Sequence, residues 1–395
     1  IGNDAVIKNI VLDATCTIHA SQKSCRVGGI AGYMNASGIN TIENCVNRAT
    51  VSSSAPNAFG SAQSKAGGIV GEILSSKNNL VLNCKNYGKV MQTTPADYYA
   101  GGIVGWQGAN SVVAGCENHG EVTALSAETW SGLGNGSAAG GIAANSFGYI
   151  SSCYNDGSVS AGMYVGGIAG QSNSNAVVES CYNAGTVTGN AAEANCALGG
   201  IVGESSSATL NKCYNVGICT PHNNSATTKY GRVVGVCRNA KVLSGNYFLG
   251  TELSQGYGEY TTGQTPSSIM MMAVEDAWLK SSDAVALLNN YSKPYSLYKA
   301  TWTESDGYPV FSKVEKIFSH YKEIKTFTVT IEGTTYAATI TGTDISIVLP
   351  AGVTSITPII TISDNATISP ASGATVTLTD GTAAFMVTAE NGDTA

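Results

Sequence analysis

This chain says one sentence many times over. Gly166 to Gly185 reads GGIAGQSNSNAVVESCYNAG, and Gly199 to Gly217 says nearly the same, GGIVGESSSATLNKCYNVG. Glycine pairs open further copies at Gly28, Gly67, Gly101 and Gly140, and a worn copy begins at Gly231. Each of the first six is followed by a cysteine: Cys45, Cys84, Cys116, Cys153, Cys181 and Cys213. In the seventh copy the spacing puts Gly245 in that place. Two residues beyond each cysteine stands an asparagine: Asn47, Asn86, Asn118, Asn155, Asn183 and Asn215. A full motif at a sustained period is the signature of an array of stacked units, each unable to bury its apolar face alone.

The spacing also shows which part of the unit is rigid. From glycine pair to cysteine the distance is 13 to 17 residues, whereas from cysteine to the next pair it ranges from 13 to 24. Packed strands do not tolerate length change and loops do, so insertions collect on one side of the stack. Within a unit the apolar pieces are short, β-branched and bounded by Gly, Asn and Ser, which predicts strands joined by turns, three to a unit. A parallel β-solenoid of about seven coils over residues 1–250 follows. In it the Ile of the glycine-pair segment and the Cys form inward ladders, because each inward position recurs about 4.8 Å along the axis. The repeated Asn is suited to bend the chain in a left-handed conformation and to bond from coil to coil.

The unit GGIVG…C-Y-N-x-G-x-V resembles the GLUG motif, found in arrays on bacterial surface proteins that include some IgA-specific metallopeptidases. The resemblance covers about residues 20 to 250 and implies a β-solenoid on a secreted or cell-surface protein. It does not carry proteolysis. The zinc motif His-Glu-x-x-His is absent, and His19, His119, His222 and His320 stand isolated.

Residues 251–318 change character and predict a small α+β cap over the open end of the last coil. SSIMMMAVEDAW and SSDAVALLNNY are compatible with short helices begun by Ser, and Met270, Met271 and Met272 are expected to pack on that coil. The Trp…Gly-Tyr-Pro stretch that follows resembles the closing segment of GLUG arrays. From Lys325 Thr and Ser alternate with Phe, Val and Ile, with Glu-Gly and Thr-Gly as turns, which predicts an all-β sandwich over 319–395. Its ending resembles the start of the final hairpin of bacterial Ig-like surface modules, so one more strand is expected to follow. At the other end, the start at Ile1 without Met suggests an upstream targeting segment.

Only 12% of the chain is charged and the net charge is −7, which leaves no basic footprint for nucleic acid. No run of apolar residues is long enough to span a bilayer. Eleven cysteines cannot all be paired, and the six of the ladder lack the pairing and the nearby His of a zinc site. They are expected buried and unpaired. A bridge from Cys219 to Cys237 stays open. The carboxylates of the array fall at different places in the unit and form no acid–base pair, and no phosphate loop, triad or cofactor signature is present. No catalytic residue, cofactor or metal is expected.

Aromatic residues are the candidates for binding: Tyr98, Tyr99 and Trp106 flank one glycine pair, and Trp130 sits in the longest insertion. Rings displayed on a rigid scaffold suit recognition of a sugar or a protein. Tyr154, Tyr182 and Tyr214, beside the repeated Asn, read instead as a structural stack. The function expected is that of a non-enzymatic, exported, monomeric surface protein, an adhesin-like stalk whose partner is a host or environmental glycan or surface protein. The alternative is a carbohydrate-active enzyme or carbohydrate-binding subunit with its cleft along the solenoid.

Overall fold

The computed structural model describes residues 4–35, 38–54, 63–74, 79–93, 98–124, 136–189, 196–221, 228–239, 242–261, 269–290, 298–312, 314–316, 322–363, 366–389 and 394. The chain divides into two compact units, Ile1–Glu315 and Lys316–Ala395.

The first unit is a parallel β-solenoid. One coil shows the plan: Ser64–Gly67 leads into the glycine pair, Val70–Ile73 leaves it, Leu80–Leu82 precedes the cysteine, Lys85–Asn86 carries the asparagine, and Val90–Gln92 closes the turn. Each of the first six coils therefore has five short strands and not the three expected, while in the seventh Val242–Leu249 runs through the corner as one strand. The glycine pair and the cysteine each break what reads as one apolar piece into two strands at a corner. Every strand pairs in parallel with its counterpart one coil away, Val81 with Ile42 and Val113, Asn86 with Asn47 and Asn118. A further rung precedes the first glycine pair, since Val6–Lys8, Val11–Leu12 and Thr17–Ala20 pair with the coil above them.

The cross-section holds two apolar cores. One stacks Ile69, Ile103, Ile142, Ile168 and Ile201 beside all six ladder cysteines. The other stacks smaller residues, with Val90, Val122, Val159 and Val187 facing Ala66, Ala100 and Ala139. Burial of such side chains contributes roughly 1.5–3 kcal/mol each. Between the cores runs the asparagine ladder. Asn86 Nδ2 donates to Gly88 O of its own coil at 2.9 Å and to Asn118 Oδ1 of the next at 2.8 Å. The same inter-coil bond joins Asn47 to Asn86, Asn118 to Asn155, Asn155 to Asn183 and Asn183 to Asn215, at 2.7–2.9 Å. The second glycine of each pair lies against this ladder, and a Cβ at Gly141 would overlap both the Gly167 carbonyl and the Asn155 side chain.

The left-handed bend is not at the asparagine. It lies one residue before the cysteine, where Asn44, Asn83, Gly115, Ser152, Ser180, Lys212 and Gly245 all have φ between 51° and 64°. Each cysteine then turns its thiol back across that corner, Cys153 Sγ donating to Ser151 O at 3.3 Å and Cys181 Sγ to Glu179 O at 3.3 Å. Burial pushes the Cys153 and Cys181 thiols well up, and they stay protonated. None of the eleven cysteines is in a disulfide, Cys219 and Cys237 included. The corner also corrects the alignment of the seventh copy. Asn211 faces Ser244 and Tyr214 faces Tyr247, so Gly245 is the left-handed residue and Asn246 takes the cysteine's place. Asn246 Oδ1 accepts from Cys213 N at 3.1 Å, while Phe248 replaces the asparagine and ends the polar ladder.

Stacking continues past residue 250. Tyr257–Thr261 pairs with Val234–Arg238, and Ile269–Val274 pairs with Val242–Leu249. The methionine segment is thus a strand where a helix was expected, because its edge completes an open parallel sheet. Met271 is buried on Phe248 and the last coil, whereas Met272 is exposed; the side chain of Met270 lies outside what is described. Two short helices follow, Asp276–Leu279 and Ser282–Asn289, the second capped by Ser281, whose Oγ accepts from Ala284 N. The rest of the cap does not stay at the end. The hairpin Trp302–Thr303 with Val310–Phe311, and Ala300 and Val314 beside it, runs back along the side of the stack over Leu82, Val112, Ala114 and Tyr214.

The second unit is built of small antiparallel sheets. Ile324–Ile331 pairs with Thr334–Ala337 across a turn at Glu332 and Gly333, both left-handed, and with Pro358–Ile362 on its other side. Alternation works as the sequence implies, with Phe327 and Val329 buried and Thr326 and Thr330 exposed. Phe327, Val329, Ile356 and Ile360 form its core. An apolar cleft of about 870 Å³ within this unit is lined by Phe327 and Ile356 together with Ile340, Leu378 and Phe385.

Candidate functional site

The strand that carries each repeated asparagine points its two neighbours outward. Because coils stack in register, the residue before the asparagine forms one outer row and the residue after it another. The first row reads Val46, Lys85, Glu117, Tyr154, Tyr182, Tyr214. The second reads Arg48, Tyr87, His119, Asp156, Ala184, Val216. Inside, every rung is the same; outside, nearly every rung differs.

The rows lock into one network. Arg48 stands over the Tyr87 ring at 5.3 Å, Tyr87 stacks on His119 at 4.5 Å, and His119 Nδ1 meets Asp156 Oδ1 at 2.8 Å. On the first row Lys85 Nζ meets Glu117 Oε2 at 2.7 Å, His119 Nε2 meets the same oxygen at 3.2 Å, and the Tyr154 hydroxyl donates to it at 3.3 Å. Tyr154, Tyr182 and Tyr214 continue as stacked rings with centroids 4.8 and 4.9 Å apart. This is the structural stack expected of them.

Charge states follow from these contacts. Hydrogen bonds to Asp156 and then to Glu117 raise His119 to about 9, against the opposing effect of burial. Burial pushes Glu117 up, but the bonds from His119 and Lys85 outweigh it and hold the carboxyl below its ordinary range. Burial, with the nearby Glu117 charge, raises the Tyr154 phenol. Near neutral pH the cluster is therefore imidazolium, carboxylate and neutral phenol. Among the described residues no group of His, Cys, Asp and Glu is arranged to hold a metal ion.

Where the cap hairpin passes these rows it leaves a groove of about 520 Å³, within the range of small-molecule sites. One wall is polar: Lys85, Glu117, and the edges of Tyr154 and Tyr182. The other is apolar, from Val310, Phe311 and Val314. Asn44, Asn83, Gly115 and Ser152, the left-handed corner residues, line its base. The Tyr214 hydroxyl donates to Pro309 O at 2.5 Å, and Ser152 Oγ accepts from Ala300 N at 2.9 Å, which fixes the hairpin against the coils.

The aromatic candidates named from sequence lie elsewhere. Tyr98 and Tyr99 are fully buried and correct the expectation of displayed rings: their strand, Tyr98–Gly101, is covered on both sides, by Cys25 at Tyr98 and by Ala138, Ala144 and Trp106 at Tyr99. Trp106 is half-buried, with Tyr99 edge-on at 5.1 Å, Phe147 at 5.3 Å and the Lys65 ammonium over its ring at 5.1 Å. Trp130 lies outside the described residues, as do most of the insertions before Gly67 and Gly140. Lys85, Glu117, His119 and Phe311 were not singled out as site residues. Their signal was present in the array, as the two variable columns flanking an invariant one, but the hairpin that walls the groove is distant in sequence.

Comparison with known proteins adds the following. Residues 324–395 match the family model described as SGBP, N-terminal, the N-terminal region of surface glycan-binding proteins. No curated protein matches the chain. A crystal structure from Bacteroides ovatus, provisionally described as an immunoglobulin A1 protease, aligns over 72% of this chain and 86% of its own, at 16% identity and a TM-score of 0.41. No helix among the described residues is long and apolar enough to cross a membrane.

Proposed function

We propose that this is a non-enzymatic glycan-binding protein of the bacterial surface, in which a rigid GLUG-type solenoid presents a sugar-binding groove. The observation that carries this reading is the two-sided groove. A pyranose ring has an apolar C–H face and a rim of hydroxyls, and a cleft with Phe311, Val310 and Val314 on one wall and Lys85, Glu117 and tyrosine edges on the other is complementary to both. The glycan-binding family match at 324–395 supports a surface location and a glycan partner, and on this reading that unit is an Ig-like module.

The test is a panel of plant, microbial and host polysaccharides with the purified chain. Retention without release of reducing ends or unsaturated products is expected, and Phe311→Ala, checked for an unchanged far-UV spectrum, should abolish retention. Product release would overturn the non-enzymatic reading, and full retention by Phe311→Ala would remove the groove from it.

A further inference from the structure

Glu117 uses only one of its two oxygens on the protein. Lys85 Nζ, His119 Nε2 and the Tyr154 hydroxyl all converge on Oε2, at 2.7, 3.2 and 3.3 Å. No hydrogen bond among the described residues ends on Oε1, and the side chain lines the groove. Three fixed contacts on one oxygen hold the carboxylate plane, so the other oxygen is a pre-oriented acceptor of the kind whose bonds are stronger than neutral ones.

Among the groups in direct contact with it and with His119 the charges also balance. Lys85 and His119 are matched by Glu117 and Asp156, and the Lys85 ammonium lies on Glu117. An anionic group entering the groove would meet the Glu117 oxygen with no uncommitted cation on the polar wall. A cationic group would find no surplus negative charge to offset its loss of water. A neutral donor meets neither cost. On the opposite wall, Phe311 and Val314 ask for C–H surface.

We infer that Glu117 sets the specificity of the groove for uncharged pyranose glycans, Oε1 accepting from ring hydroxyls, with His119 as a positioning residue that acts through Oε2. This rests on the glycan-binding reading above. A groove of this volume takes a short run of residues and not one sugar alone, so the probes are short oligosaccharides.

The experiment is calorimetric titration of the full chain with neutral oligosaccharides of glucose, mannose, galactose and xylose, each hexose probe matched with its C6-oxidised uronate and its sulfated counterpart. At least one neutral probe should bind, with its anionic counterparts at least about tenfold weaker, the size of one lost charge-assisted hydrogen bond. Glu117→Gln, which keeps the shape of the side chain, should weaken the neutral probe by about tenfold and shrink the discrimination against uronate. His119→Gln should weaken the neutral probe less and leave the preference for neutral over uronate in place. Uronate or sulfated probes binding as well as neutral ones overturn the inference while leaving glycan binding intact. So does a Glu117→Gln variant of native spectrum and unchanged affinity. Failure of every probe overturns the glycan reading and this inference with it.

Discussion

The inner ladder and the outer rows ride on the same two-residue strands and differ in almost every respect. Asn86, Asn118 and Asn155 are identical, fully buried and bonded to one another, while Lys85, Glu117 and Tyr154, each one residue earlier, differ in charge, size and exposure. A position facing the axis meets its own kind above and below, so one residue type that satisfies itself in a column serves every rung. A position facing outward meets solvent, the cap or a ligand, and is released from that constraint. In a repeat protein the invariant columns therefore report on folding, and function is sought in the columns beside them.

Substitutions can break this contrast. The largest effect is expected inside: Gly141→Ala forces a Cβ into the Gly167 carbonyl and the Asn155 side chain, and the coils above and below cannot both yield. Loss of soluble expression is the expected result. Asn155→Ala removes bonds to Gly157 O and Asn183 Oδ1 and takes the inter-coil acceptor from the Asn118 amide, costing about 3 kcal/mol in urea unfolding. An intact chain with an unchanged midpoint would mean that the ladder is incidental. Cys153→Ala, deleting one thiol from a close-packed column, should cost about 1–2 kcal/mol. Native protein should resist thiol reagents at the ladder positions but not at exposed Cys16.

Outside, the balance reverses. Tyr182→Leu keeps apolar bulk between Tyr154 and Tyr214 and should change stability by less than about 1 kcal/mol, yet lower glycan affinity several-fold through the groove wall. The smallest effect concerns pH. His119 is raised in the folded state, so the stabilisation it gives is complete below its unfolded value near 6.5 and is lost as pH rises through about 9. Being only partly buried and screened, it is worth under about 1 kcal/mol. Thermal midpoints measured from pH 6 to 10 should fall slightly more for the native chain than for His119→Gln, and parallel curves would remove the ion cluster from the stability account.

Much of the stack was legible because periodicity is itself structural information. Ile69 to Ile201, the six cysteines and the asparagine bonds could be placed by column before any contact was seen. The errors were local. The left-handed residue was assigned to the asparagine and belongs to the corner before the cysteine, because Asn, Ser, Lys and Gly share that position and no single residue type marks it. Ile269–Val274 carries the spacing of a short helix, and an open sheet edge made it a strand. Tyr98 and Tyr99 looked like displayed rings because neither sequence neighbour says what covers a strand.

The register of the solenoid is written in the repeat. A motif that recurs with Gly, Ile, Cys and Asn in order admits one stacking in which every buried amide finds its twin, and a shift of one residue would bury Lys85 or Glu117 instead. Only the tertiary structure decided where a site lies. The groove exists because Val310, Phe311 and Val314, some two hundred residues beyond Lys85 and Glu117, return along the stack and wall off one stretch of its outer rows. That return is made of contacts between different columns, Tyr214 with Pro309 and Ser152 with Ala300, and periodicity holds no information about contacts that do not repeat.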